Sequence, residues 1–405
     1  MKIGVLENEL SSKRGGQELS LLDVCEGLSK RGHSIALLYL TSGDLQKRYE
    51  LFCENMTRIY RYTVHKYAPL SSSFQYVRSL WKGSFKKVDL IYANQYQDSF
   101  FGGMLAKLKG VPLVCHLRLP PPSHFCGQYR IGLSQASRLI TISEKTHQEY
   151  VNRGFCEDAI DVVHNGIATD RYIMTDSCDE IKMKKGIPLG SFVITYAGRF
   201  HPAKGIKTLL KAFSLFKMRE KNGILLLSGS EVEDWTTRHD GKYVQLLQEE
   251  ADRLGIQKDI FWQGHEQNIP DLFGISDVVV LPSLWSEPFG RILIEAMACG
   301  TPAVGSQVGG ISEILSGEFS RFLFTAGDSE ALACLLAQVK ELKQQDPDIS
   351  RRCKNHVSLH FSLSQNIKKI ENIFQQTQED YEAKKCKKVV ASWEVLKRIH
   401  PEVCW

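Results

Sequence analysis

Strand and helix patterns alternate along the whole chain, which predicts an α/β protein made of two parallel sheets. Three observations carry this prediction. Short apolar runs such as Ile3–Leu6, Leu113–Cys115, Phe192–Tyr196 and Val278–Leu281 are too short for helices and lack polar alternation, as in strands buried on both faces. Each is followed by a stretch with helical spacing, the grammar of helices covering both faces of a parallel sheet. At 405 residues the chain exceeds what one core usually organises, so two domains are expected.

The first series opens with the strand Ile3–Leu6 and a helix over Gln17–Lys30, whose apolar positions are Leu19, Leu22, Val24 and Leu28. Strands follow at Ser34–Leu40, Leu90–Tyr92, Leu113–Cys115, Leu139–Ile142 and Asp161–Val163. The polar, lysine-rich stretch Asp176–Gly190, with Gly186, Pro188 and Gly190, reads as the interdomain connection. The second series has strands at Phe192–Tyr196, Ile224–Leu227, Ile260–Trp262, Val278–Leu281 and Ala303–Val304. Its helices fall at Ile206–Phe216, Tyr243–Leu254, Ile269–Phe273, Arg291–Cys299 and Ser329–Gln344, and the chain is helical again from about Ser362 to Lys388. The expected domains are residues 1–180, with 362–405 returning to them, and residues 190–361.

Composition narrows the function classes. Hydrophobic content of 43% and charged content of 24% are ordinary for a globular enzyme. A formal charge of +5, dispersed along the chain, does not point to nucleic acid, though it permits attraction to phosphates or an anionic membrane. No apolar run approaches a membrane span, and the early Glu7 and Glu9 make the N-terminus a strand and not a signal peptide. Eleven scattered cysteines without a CxxC pair argue for a reducing, cytoplasmic setting.

The most specific segment is Pro282–Val304, PSLWSEPFGRILIEAMACGTPAV. A buried strand ends at Pro282, and Cys299-Gly300-Thr301-Pro302 stops the following helix, since glycine accepts the left-handed cap and proline cannot continue. Glu287 therefore lies on the loop, and Glu295 about two turns into the helix. Gly290 lets a ligand approach the backbone, and the helix N-terminus favours an anion such as a phosphate. The run Glu287-Pro288-Phe289-Gly290 … Glu295-Ala296-Met297-Ala298-Cys299-Gly300-Thr301-Pro302 resembles the signature of the retaining, nucleotide-sugar-dependent glycosyltransferases of family 4, with its two glutamates separated by seven residues. The resemblance covers about residues 1–380. It implies the GT-B fold, two Rossmann-like domains facing each other across a cleft, with a C-terminal helix near Ser364–Tyr381 crossing back onto the first.

The same resemblance assigns roles. Glu287 would contact donor sugar hydroxyls, the backbone N–H groups of Phe289, Gly290 and Arg291 would hold sugar and phosphate, and Glu295 would bind the ribose hydroxyls. Ala197-Gly198-Arg199-Phe200-His201-Pro202-Ala203-Lys204-Gly205 matches the family's basic pair. Arg199 and Lys204 would neutralise the leaving diphosphate, which is what cleavage of a sugar–phosphate bond requires. Arg14-Gly15-Gly16 follows the first strand and precedes a helix. Gly15 and Gly16 can let a backbone approach a pyrophosphate, although GxGxxG itself is absent. The run Cys115-His116-Leu117-Arg118-Leu119-Pro120 departs from the family, which often has a histidine here. By spacing from Pro112 that slot is Arg118, with His116 two residues earlier. Either residue is a candidate, and strand alternation puts both on one side. Gly309 and Gly310 read as close-approach turns, His33 as structural, and Gly264–Pro270 as the loop around the nucleotide base.

Asp346-Pro347-Asp348 fits a DxD metal motif only formally, in a polar linker far from the signature, so no metal is expected. The donor would be a UDP- or GDP-linked sugar, with no resident cofactor. The acceptor would be a glycan, a lipid-linked or a small-molecule hydroxyl. Phe74–Val88 places Phe74, Val77, Trp81, Phe85 and Val88 on one side, with Arg78, Lys82 and Lys86 spaced by four. The plainer reading of this basic amphipathic helix is packing on its sheet, and the other is a peripheral membrane face. The expected function is a retaining glycosyltransferase, metal-independent, cytoplasmic or peripheral at the inner membrane face. The alternatives are a catalytically silent binding or scaffold protein and a nucleotide-sugar epimerase on the same fold.

Overall fold

The computed structural model describes every residue except Lys13, Arg14, Lys66, Phe85, Lys86, 232–241 and 385–405. Arg14 of the glycine loop, Phe85 and Lys86 of the basic helix, and Lys385, Lys387 and Lys388 of the tail thus lie outside the described residues. The chain forms two compact units. One comprises Met1–Gly166 and the segment that begins at Leu363, and the other is Ile167–Ser362.

The first unit holds a seven-stranded sheet. Its strands are β1 (Lys2–Glu9), β2 (Ser34–Thr41), β3 (Cys53–Arg58), β4 (Leu90–Ala93), β5 (Leu113–Leu117), β6 (Arg138–Thr141) and β7 (Ile160–Val162). They run parallel in the order β3-β2-β1-β4-β5-β6-β7, with Val5 of β1 opposite Leu37 on one side and Tyr92 on the other. The order reverses between β1 and β4, and such switch points bind ligands beyond the carboxyl ends of the strands. All residues of β4 and β5 are buried, as their unbroken apolar runs require.

The helix Leu363–Glu382 completes this unit, as expected for the returning C-terminal helix. Ile367, Ile370 and Phe374 join a core with Leu21, Leu28, Ile35 and Tyr92. A Cβ on Gly27 would meet Ile367 Cδ1 at 2.0 Å, so the close approach of the helix Gly16–Lys30 requires glycine there. Glu371 accepts from Arg31 Nε and bonds His33 Nε2, both at 2.7 Å, and Asn366 donates to the His164 carbonyl. His33 is a structural clamp.

The second unit holds a six-stranded sheet of β8 (Phe192–Ala197), β9 (Gly223–Ser228), β10 (Ile260–Gln263), β11 (Val278–Leu281), β12 (Ala303–Ser306) and β13 (Leu323–Phe324). The parallel order β10-β9-β8-β11-β12-β13 repeats the first unit's reversal, here between β8 and β11.

Four readings need correction. Asp176–Gly190, expected as the interdomain connection, lies inside the second unit. Cys178–Lys184 is a helix with a Ser177/Glu180 capping box, and Ile181 and Ile187 enter the second unit's core beside Val193 and Phe273. The polar lysines disguised the two buried isoleucines. The edge strand β3 is missing from the sequence reading because CENMTR has no fully buried position. A helix over Ile349–His360 is also missing. Its buried Ile349, Cys353 and Val357 are spaced by four, but the preceding Asp346 and Asp348 read as linker. Those aspartates pair with Arg352 and Arg351. Finally, the helix Pro69–Ser84 buries Ser72, Tyr76, Ser79, Leu80 and Gly83, while Phe74, Val77 and Trp81 face outward.

Candidate functional site

In the second unit the signature residues gather at the carboxyl ends of β8 and β11. The loop after β8 carries Arg199 and Lys204 and ends in Gly205, at φ 70°. A Cβ on Gly205 would lie 1.8 Å from the Pro282 carbonyl oxygen, so only glycine lets this loop reach the one after β11. Leu284 N–H donates to the Ala203 carbonyl at 2.8 Å and locks the two loops together.

That contact sets Lys204 Nζ 2.6 Å from Glu287 Oε2. Ser283 Oγ donates to the same oxygen at 2.9 Å, and Trp285 Nε1 at 3.1 Å. Lys204 also lies over the Trp285 ring, 5.5 Å from its centroid. Burial opposes the charged form of Glu287, but Lys204 and the hydrogen bonds outweigh it and hold the carboxyl below its ordinary value. All three donors share Oε2, and among the described residues none bonds Oε1. An ionised carboxylate only accepts, so its open oxygen is ready for a hydroxyl.

The backbone here is held from behind. A Cβ on Gly309, at φ 58°, would lie 2.0 Å from the Glu287 carbonyl oxygen, and Gly310 N–H donates to that oxygen at 2.8 Å. The close-approach reading of this glycine pair is what the geometry shows. The helix Arg291–Cys299 starts from Gly290 at φ 103°. Phe289 is buried and packs edge-on against Phe361, with centroids 5.8 Å apart.

Glu295 is buried on the second turn of this helix. Its Oε1 accepts from Arg291 Nε at 2.7 Å and from Tyr172 Oη at 3.0 Å. Its Oε2 accepts no hydrogen bond among the described residues, so it repeats the half-satisfied arrangement of Glu287. Arg199 is exposed, and its guanidinium forms no ion pair among the described residues. Tyr196 Oη donates to the Arg199 carbonyl at 2.7 Å and fixes the backbone beneath it.

The first unit places its candidates differently. Gly15 caps the helix Gly16–Lys30 at φ 143°, with open space where a Cβ would stand. The first turn already carries the buried carboxylate Glu18. Burial, Glu18 and Asp98 together push the Glu7 carboxyl well above its ordinary value.

His116 and Arg118 both reach Tyr92, so they share one side as alternation predicts. Both are buried. Arg118 donates from Nε to Asn94 Oδ1, from Nη1 to Asn165 Oδ1 at 2.9 Å, and from Nη2 to Tyr92 Oη at 3.5 Å. Asn94 in turn donates to Glu7 Oε2 at 2.8 Å. His116 Nδ1 lies 2.6 Å from Tyr92 Oη. If Nδ1 carried the proton, the buried Tyr92 hydroxyl would have no acceptor among the described residues, which assigns the imidazole proton to Nε2. Burial, helped by Arg118, lowers the His116 pKa well below its ordinary value and keeps the ring neutral.

The structure thus brings Lys204, Glu287, Phe289, Gly290, Arg291 and Glu295 into one loop cluster, and His116 with Arg118 into another. Sequence reasoning missed Ser283, Trp285, Tyr172, Tyr92, Asn94 and Asn165. Ser283 and Trp285 stand four and two positions before Glu287, within the quoted signature. Tyr172 is 123 residues from Glu295, beyond any local pattern.

Comparison with known proteins gives a consistent result. The family "Glycosyl transferases group 1" matches residues 177–356, and "Glycosyltransferase Family 4" matches residues 14–171. The chain is 24% identical over 376 residues to N-acetyl-alpha-D-glucosaminyl L-malate synthase of Bacillus anthracis, covering 89% of this chain and 93% of that one. It is 27% identical over 296 residues to D-inositol 3-phosphate glycosyltransferase of Streptomyces avermitilis, covering 67% of this chain and 61% of that one. Among solved structures, Anabaena Alr3699/HepE in complex with UDP and glucose superposes with a TM-score of 0.80 at 24% identity, over 93% of this chain and 100% of that one.

Proposed function

The chain belongs to the group 1 glycosyl transferases of family 4, GT-B enzymes that use nucleotide-sugar donors, and on that premise we propose that it moves a hexosyl group from a UDP-sugar to an acceptor hydroxyl with retention at the anomeric carbon. The observation that carries this reading is the buried Glu287–Lys204 pair, which leaves one carboxylate oxygen open beside the Gly290 helix start. The uridine rests on the Anabaena relative, whose crystals contain UDP and glucose.

In this reading Glu287 Oε1 accepts a donor sugar hydroxyl, and Glu295 Oε2 accepts a ribose hydroxyl. The N–H groups of Phe289, Gly290 and Arg291 hold sugar and phosphate, aided by the partial positive charge of the helix start. Lys204 and Arg199 stabilise the charge that builds on the diphosphate as the bond breaks. Glu287 Oε2 is spent on three donors and its carboxylate is stabilised by an ammonium, which suits a binding role better than a nucleophilic one. A front-face path, with the donor phosphate accepting the acceptor's proton, accords with that.

For Gly15 and Gly16 the support is steric. The φ and the open space suit a close ligand approach, while Glu18 already occupies the helix start. Arg118 stands where the family often has histidine. Its three neutral partners suit a role in shaping the strand ends, with His116 Nε2–H as the remaining donor.

The test is incubation with a panel of UDP- and GDP-sugars plus EDTA, reading nucleoside diphosphate release. Release from a UDP-sugar that persists in EDTA is the expected result. No release from any donor would favour the silent scaffold. Release only after magnesium or manganese is restored would show that Lys204 and Arg199 do not suffice.

A further inference from the structure

The helix Pro69–Ser84 turns an apolar stripe to solvent. Leu70 is 89% exposed, Phe74 68%, Val77 61% and Trp81 61%. At about 100° per residue these four fall within roughly 60° of one another around the helix. The stripe is distinct from the face that holds the helix on its unit. On that inner face Tyr76 stacks on Phe100 with centroids 5.4 Å apart, and Ser79 Oγ accepts from the N–H groups of Tyr60 and Arg61. Tyr76 and Leu80 dock the helix together with Ser72, Ser79 and Gly83, while Leu70, Phe74, Val77 and Trp81 remain outside. A continuous apolar patch of this kind on a folded protein marks an interaction surface.

The charge around the stripe identifies the occupant. Arg78 and Lys82 follow Phe74 and Val77 on one flank of the helix. Both lie over the half-exposed Tyr60 ring, at 5.0 Å and 4.5 Å from its centroid, and Lys82 Nζ also donates to the Arg58 carbonyl. These contacts hold two cations beside the stripe. In sequence, Arg61, Lys66, Arg78, Lys82, Lys86 and Lys87 fall between Glu54 and Asp89 with no acidic residue among them. Aromatic and aliphatic side chains flanked by one-sided positive charge match the boundary between acyl chains and anionic headgroups. A protein partner would present a shaped pocket for Trp81 and Phe74, but a lipid surface needs only apolar depth and negative charge.

We propose that the exposed face of the helix Pro69–Ser84 docks the enzyme on an anionic lipid surface, with Leu70, Phe74, Val77 and Trp81 entering the headgroup boundary and Arg78 and Lys82 pairing with lipid phosphates. The surface lies on the first unit's outer helix and shares no residue with the candidate donor site.

The experiment is vesicle co-sedimentation of the full chain without any nucleotide sugar, so its outcome does not depend on the transferase reading. One vesicle set is pure phosphatidylcholine and the other contains roughly 30 mol % phosphatidylglycerol. Two variants are compared, Phe74→Ser with Trp81→Ser, and Arg78→Glu with Lys82→Glu. Unchanged thermal transitions certify that both are folded. The proposal expects binding to the anionic set that drops toward the neutral set at about 1 M salt. It also expects each variant to lose roughly tenfold in partition coefficient. No binding to the anionic vesicles, or binding that survives both variants, overturns it. So does a wild-type dimer that the Phe74/Trp81 variant dissociates in the absence of lipid binding, which would make the stripe a self-interface.

Discussion

The two sheets reverse their strand order in the same way, yet the chemistry at the two reversals differs. Beyond β8 and β11, charges are paired directly. Lys204 meets Glu287 and Arg291 meets Glu295, and each carboxylate keeps one oxygen without a hydrogen bond among the described residues. Beyond β1, β4 and β5, the charges are separated by amides. Arg118 reaches Glu7 only through Asn94, and its other bonds go to Asn165 and Tyr92. The first arrangement holds acceptors in place and leaves them available. The second turns the Arg118 hydrogen bonds inward and leaves His116 Nε2 as its remaining donor. Equal topology therefore supplies only a location, and side-chain pairing decides which polar groups that location leaves open.

The most severe way to break this contrast is Glu287→Ala. Removing one partner of a buried pair leaves Lys204 uncompensated, at about 3–5 kcal/mol. Transfer should fall by at least about 100-fold, the scale of losing one preorganised electrostatic contact. Steady-state kinetics and a thermal scan together check it, and retained activity in a destabilised protein would reduce Glu287 to a structural role.

Next come Arg199→Ala and Glu295→Ala, which sharpen the assignment within the second unit. Arg199 is exposed and forms no ion pair among the described residues, so its loss should leave stability unchanged and lower turnover more than donor affinity. Glu295→Ala should mainly weaken donor binding, with the loss appearing in KM. Identical effects on both parameters in both variants would dissolve the distinction between a leaving-group cation and a ribose anchor.

Arg118→Met tests the bracing role. It strips donors from buried Asn94 and Asn165, and each unsatisfied acceptor costs about 1–3 kcal/mol. A clear drop in thermal midpoint is expected at every donor concentration. Lost turnover with an unchanged midpoint would instead mean that Arg118 touches substrate.

The smallest effect belongs to the clamp on the returning helix. Arg31 and His33 hold the Glu371 carboxyl below its ordinary value. A depressed carboxylate stabilises the fold above its unfolded pKa, and that contribution disappears as pH falls through the lower folded value. Glu371→Gln should therefore cost about 1 kcal/mol at neutral pH, and the gap from wild type should close only below about pH 4.5. Denaturant titrations across pH read this directly, and a gap that closes near pH 6 would contradict the assignment.

Much of this was legible in the sequence, for identifiable reasons. Central strands such as Val278–Leu281 are buried on both faces and show unbroken apolar runs. The strand β3, at an edge, could not. The signature loop was legible because its glycines, its proline and its two glutamates are close in sequence. Lys204 and Glu287 were each recognisable, but their pairing across 83 residues was not. Tyr172 and the Asn94–Arg118–Asn165 bridge were invisible for the same reason, since asparagine and tyrosine carry no pattern until the fold sets them beside a charge. The basic helix was left with two readings because an apolar stripe looks the same in sequence whether it faces the core or solvent. Only the packing of Tyr76 and Ser79 decides which face is inside.

The division of the chain also has a consequence for its synthesis. The second unit is one continuous segment, Ile167–Ser362, so every residue it needs has been made before the last helix appears. The first unit begins earlier but lacks Ile367, Ile370 and Phe374 until the final stretch is translated. Until then the apolar groove beside Leu21, Leu28 and Tyr92 is open on the nascent chain. The first unit can close its core only after the second unit's segment has been made, so its apolar groove stays uncovered through that interval.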